Sequence, residues 1–157
     1  MRVGVDLIEI ERIRRALDRY DGFRERCFTE AERAYCDGKP NPAQHYAGRF
    51  AGKEAVGKAL GCGVHFTWRE IEIVGRPKPG VVLAGRTKAW AERVGAGRIE
   101  LSMTHSRELA AAIAVVADAI VADAIVADGV VADAVVADAV TADGAPDSGA
   151  SDPSGEV

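Results

Sequence analysis

The sequence predicts an α+β fold, a mainly antiparallel sheet packed with one long central helix. Three observations carry that expectation. Short alternating apolar runs open and close residues 1–117, a long helical run lies between Pro42 and Gly61, and the helices cluster instead of alternating with strands.

Residues 2–8 (RVGVDLI) read as a first strand, with Val3, Val5 and Leu7 on one face and Gly4, Asp6 and Ile8 on the other. A helix follows, its apolar stripe formed by Ile10, Ile13, Leu17 and Tyr20. Thr29 to Glu32 has the capping-box pattern and opens a short helix to about Cys36. After the Pro-rich loop a long helix runs from Pro42 to about Leu60, closed by Gly61. Trp68 to Val74 and Val81 to Ala84 form two strands around the turn GRPKPG. Arg86 to Val94 is helical, and Arg98 to Thr104 and Leu109 to Ala117 close the sheet. The order β-α-α-α-β-β-α-β-β favours antiparallel pairing.

From Val116 the chain repeats every five residues, VADAI, VADAI, VADGV, VADAV, VADAV, TADGA, and then turns into PDSGASDPSGEV. A period of five keeps no face apolar in a helix or a strand, so residues 118–157 are expected to be a low-complexity acidic tail outside the folded body. That tail holds eight Asp, one Glu and no Lys or Arg. The whole chain carries −4, so residues 1–117 carry +5, a balance that suits an anionic substrate or partner.

No run of about 18 apolar residues occurs, so a membrane span is not expected. Asp6 and Glu9 interrupt any signal-peptide core. Cys27, Cys36 and Cys62 are odd in number and lack C-x-x-C spacing, which fits the reducing cytosol better than a disulfide framework or a zinc site.

The long helix carries the main physical anomaly. With Tyr46 at 0° and about 100° per residue, Phe50, Ala47 and Ala51 span an apolar arc, and Glu54 and Lys58 fall inside it. A charged pair on a packing face needs partners or a metal, because desolvation is costly. The plainer alternative is an i,i+4 ion pair on a partly exposed helix. Arg49 and Lys53 lie along the edge beside Tyr46, where they could meet phosphates. Gly48, Gly52 and Gly57 cost helix propensity, which makes sense if something packs close to them. Asp6 either caps a neighbouring turn or serves a site. Ser102 and Thr104 make a polar strand end compatible with phosphate, and His105 beside them is either a surface residue or part of that end. Arg12, Arg15 and Arg19 form a basic stripe, either a solvated face or a dock for an acidic helix.

Taken together, VGVDLIEIERI, AGRFAGKEAVGKALG, WREIEI, GRPKPGVVLAG and LSMTHSRELAAAIAVV resemble the holo-acyl-carrier-protein synthase family of 4′-phosphopantetheinyl transferases, in order and spacing over residues 2–117. The resemblance implies that family's fold and the transfer of 4′-phosphopantetheine from coenzyme A to a carrier-protein serine, releasing adenosine 3′,5′-bisphosphate. It makes Asp6 and Glu54 ligands of an Mg²⁺ ion that meets the coenzyme A diphosphate. Lys58 then lies near that diphosphate, Arg49 and His105 near the nucleotide 3′-phosphate, and Arg12 against the acidic helix of the acyl-carrier protein. The proton acceptor is open between Glu54, a water on the metal and a group near His105. Some relatives have an acidic residue after this histidine, where this chain has Ser106. The resemblance also implies a homotrimer with sites between subunits, and a place in fatty-acid biosynthesis, although a polyketide carrier fits equally. Two other classes compete. A non-catalytic carrier-binding module with the same fold would not need Asp6, Glu54 and Lys58 together. A nucleic-acid binder would show interleaved aromatic and basic residues, and the acidic tail would oppose it.

Overall fold

The computed structural model describes residues 1–62, 66–75 and 78–119. Beyond Ala119 the pentad tail lies outside the described residues, as do 76–77 of the expected GRPKPG turn. The elements are β1 (Arg2–Glu9), α1 (Ile10–Arg19), α2 (Phe23–Cys27), α3 (Glu30–Asp37), α4 (Pro42–Leu60), β2 (Ile71–Val74), β3 (Gly80–Leu83), α5 (Gly85–Arg93), β4 (Ala96–His105) and β5 (Leu109–Asp118). A short 3-10 turn at Trp68–Glu70 precedes β2. The strands fall into two antiparallel sheets, β1-β5-β4 and the hairpin β2-β3.

Several local signals act as their chemistry demands. Thr29 Oγ1 accepts from Glu32 N while the Glu32 carboxylate accepts from Thr29 N, which completes the capping box of α3. Pro42 opens α4, and Gly61 closes it at φ 68°, a left-handed conformation that glycine adopts without a Cβ penalty. Helix α2 is additional: five residues give no readable period.

Helix α4 lies across the three-stranded sheet, and β1 meets it most closely. A Cβ on Gly4 would come 2.0 Å from the Ala55 carbonyl oxygen and 2.6 Å from Ala59 N. Close approach also explains Gly52, where a Cβ would lie 3.1 Å from Met103 Sδ, and Gly57, where it would lie 2.7 Å from the Phe66 ring. Gly48 has nothing within 4 Å, so the expectation of close packing fails there. On the side away from the sheet, Phe28 packs edge-on against Tyr46, and Phe50 stacks on Trp68.

The first strand turns its apolar residues outward. Val3, Val5 and Leu7 are 54%, 56% and 61% exposed, while Gly4 and Ile8 are buried beneath α4. Val5 pairs with Ile113, itself exposed, so the outer sheet face is a broad apolar surface. Tyr20, expected in the α1 stripe, is exposed; Ile10 and Ile13 supply the buried contacts. Strand β5 runs through the start of the first pentad, with Val116 fully buried. The Met1 ammonium donates to Asp118 Oδ2 at 2.5 Å. Among the described residues no helix is long and apolar enough to cross a membrane.

Candidate active site

Asp6 enters from the helix-facing side of β1, and Glu54 and Lys58 from one flank of α4. The close approach allowed by Gly4, two residues before Asp6 on the same face, brings them together. Lys58 Nζ donates to Asp6 Oδ1 at 2.7 Å and to the Val5 carbonyl at 2.9 Å. The Glu54 carboxyl is held above its ordinary value, first by burial and then by the negative charge of Asp6, with Lys58 opposing the rise. The two carboxylates are thus near enough to act on each other, and the Lys58 ammonium, bonded to Asp6, also acts on Glu54. Among the described residues no group of three or more His, Cys, Asp and Glu side chains forms a metal cage. The donor set is therefore two carboxylates, which suits a hard cation that takes its other ligands from phosphate and water.

The helical arc expected to pack as one face is split. Tyr46 and Phe50 pack under the aromatic residues, Ala51 and Ala55 are fully buried, and Glu54 is half-buried while Lys58 is exposed. The small residues of α4 let it be covered from both sides, and the acidic pair emerges at the seam.

Lys53 corrects an expectation. The sequence puts it on an edge that could meet phosphates, but its ammonium is fully buried, paired with Glu32 Oε2 at 2.7 Å. It also donates to the carbonyls of Trp68 at 2.8 Å and Ile71 at 2.6 Å. Glu32 completes the network by accepting from Ile73 N at 2.9 Å. These bonds tie α3, α4 and β2 together, and they hold Trp68–Glu70 in a 3-10 turn where the sequence suggested strand. Lys53 is a structural residue.

Arg49 is also buried, its guanidinium over the Tyr35 ring. His105 ends β4, in register with Ala110, with Gln44 Nε2 2.7 Å from its ring nitrogens. Thr104 pairs with Ala111 and so points to the opposite sheet face from His105. Within one chain, Asp6, Glu54 and Lys58 converge; Thr104 is apart from them on the outer face, and His105 lies across the sheet, two strands from β1.

Arg12, Arg15 and Arg19 do share a surface. They line a groove of ≈ 460 Å³ together with Arg26 of α2 and an apolar floor that includes Ile8, Phe23 and Phe50. Ile8 is the next residue along the Asp6 face of β1, and Phe50 lies one turn before Glu54 on α4. The basic groove therefore borders the acidic pair. Arg26 and Phe23 are not expected from the sequence, because α2 is too short to announce itself.

The model of the 4′-phosphopantetheinyl transferase superfamily matches residues 2–114. The chain belongs to this superfamily. It is 44% identical over 116 residues to the holo-[acyl-carrier-protein] synthase of Caldanaerobacter subterraneus subsp. tengcongensis, covering 72% of this chain and 91% of that one. It is 47% identical over 119 residues to that of Clostridium acetobutylicum, covering 73% and 94%. Among solved structures, the transferase fold is similar to the holo-[acyl-carrier-protein] synthase of Neisseria meningitidis, with TM-score 0.68 and 29% identity over 74% of this chain and 98% of that one. The enzyme of Helicobacter pylori in complex with coenzyme A matches with TM-score 0.65 and 29% identity, over 73% and 99%. The family match thus covers residues 2–114, including β1 and α4, which carry Asp6, Glu54 and Lys58.

Proposed function

We propose that the chain transfers the 4′-phosphopantetheine moiety of coenzyme A to a serine of apo acyl-carrier protein and releases adenosine 3′,5′-bisphosphate. The observation that carries this is adjacency: the neighbouring carboxylates of Asp6 and Glu54 lie beside a groove walled by four arginines. An acidic carrier seated in that groove brings its serine towards the two carboxylates, where the diphosphate would be held.

Asp6 and Glu54 hold Mg²⁺, which, when bound, offsets the negative charge of the diphosphate during phosphoryl transfer. Lys58 neutralises Asp6 in the free protein and supplies a point charge to the diphosphate. The acceptor of the serine proton is Glu54, whose carboxyl is raised by burial and by the charge of Asp6, a water on the metal, or a group near His105. Arg49 and His105 bind the nucleotide 3′-phosphate; Thr104 faces the other side of the sheet from His105 and does not join them within one chain. Arg12, Arg15 and Arg19 receive the carrier helix.

Two features support a homotrimer with each site shared between subunits. His105 lies two strands away from the Asp6 strand, and the outer face of β1 and β5 exposes Val3, Val5, Leu7 and Ile113. The buried free thiols Cys27, Cys36 and Cys62 suit the cytosol. The chemistry belongs to the body, residues 1–117, with Asp118 completing the last strand.

The test is incubation with coenzyme A, Mg²⁺ and apo carrier, followed by intact mass of the carrier. A gain of about 340 Da, the phosphopantetheine increment, is expected. Carrier that binds but gains no mass would leave a non-catalytic binding module instead.

A further inference from the structure

Arg49 is only 8% exposed, yet its Nε meets no hydrogen-bond partner. Its guanidinium carbon lies 3.7 Å from the centre of the Tyr35 ring. The same ring carries Lys39 Nζ at 4.9 Å and meets His45 edge-on at 5.6 Å. Glu32 and Glu72 line the groove beside Arg49, but Glu32 is committed to Lys53; among the described residues Arg49 forms no ion pair, and its guanidinium hydrogen-bonds the Cys36 thiol.

The manner of holding matters. A carboxylate would grip a guanidinium by its edge and consume the in-plane N–H donors. An aromatic ring holds it by the face and leaves that edge free. Stacking also removes rotamer freedom before a ligand arrives, so less is lost when a planar fork closes on phosphate oxygens.

We propose that Tyr35 is a positioning residue for substrate binding: its ring fixes the plane of Arg49 so that the guanidinium donors not engaged by Cys36 meet the nucleotide 3′-phosphate. This rests on the assignment of Arg49 to that phosphate made above. Tyr35 touches no reacting atom; it acts through Arg49, and Lys39 on the same ring adds positive charge nearby.

The experiment measures, by calorimetry on the full chain, binding of adenosine 3′,5′-bisphosphate and of adenosine 5′-monophosphate. The ratio of the two affinities isolates the 3′-phosphate. Tyr35→Phe keeps the ratio. Tyr35→Leu and Arg49→Lys, which each remove the stacked plane, lower it about fivefold, and the double variant falls no further. Arg49→Gln loses the preference entirely. Arg49→Lys carries the test if Tyr35→Leu fails to fold. An unchanged ratio in Tyr35→Leu or Arg49→Lys, with the preference lost in Arg49→Gln, overturns the role of Tyr35 alone. An unchanged ratio in Arg49→Gln overturns the assignment of Arg49 itself.

Discussion

The Lys58 ammonium lies 2.7 Å from Asp6 Oδ1, bridging the first strand to the central helix beside Glu54. Glu54 is left with its carboxyl above the ordinary glutamate value of 4.5, through burial and the charge of Asp6. A carboxyl raised in the folded state favours folding when protonated, and that contribution is lost as pH rises through the folded value. Glu54→Gln removes the loss. With chelator present, this variant is expected to melt above the parent at pH 8, with the difference vanishing near pH 4. Equal melting temperatures at pH 8 would contradict the crowding of the two acids.

Gly4 sets the distance between β1 and α4. Alanine there would place its Cβ 2.0 Å from a backbone carbonyl that cannot rotate away. Gly4→Ala is expected to cost about 3 kcal/mol or more, because overpacking against backbone forces the elements apart. Urea unfolding measures it. The folded remainder should also transfer poorly, since Asp6 moves with the strand.

The buried Glu32–Lys53 pair predicts an asymmetry. Glu32→Gln or Lys53→Met alone is expected to cost about 3–5 kcal/mol, because each strands a buried charge. Joint replacement by Met at both positions should recover much of that loss. Folded Lys53→Met protein, assayed at low temperature, should keep its KM for coenzyme A, as a residue outside the phosphate site must.

Most of the fold was legible in the sequence because its signals were local. The capping box, Pro42, Gly61 and the alternation of β1 mark their elements without reference to the rest of the chain. The misreadings were tertiary. Helical angle placed Lys53 at an open edge, but burial depends on what packs there, and Glu32 closes that side. Periodicity gave the two faces of β1 without saying which was covered; Gly4, the smallest residue, marked the buried one. Arg26 escaped because its helix has five residues. Asp6 and Glu54, 48 positions apart, were joined by resemblance to a family, since nothing in their spacing could do so.

The arginine groove predicts a selective kinetic effect. Arg12→Ala combined with Arg19→Ala should raise the KM for carrier about tenfold and flatten its salt dependence. KM for coenzyme A should stay within about twofold. A matching rise for coenzyme A would mean that these arginines serve the nucleotide instead of the carrier.

The central claim, that Asp6 and Glu54 together hold one divalent ion, is tested most directly by titrating Mn²⁺ into the protein with coenzyme A bound and following free Mn²⁺ by electron paramagnetic resonance. The parent is expected to bind one ion per chain, and Asp6→Asn and Glu54→Gln, each melting as a folded protein, to bind it more than about tenfold more weakly. Parent-like affinity in either variant would contradict a shared metal site.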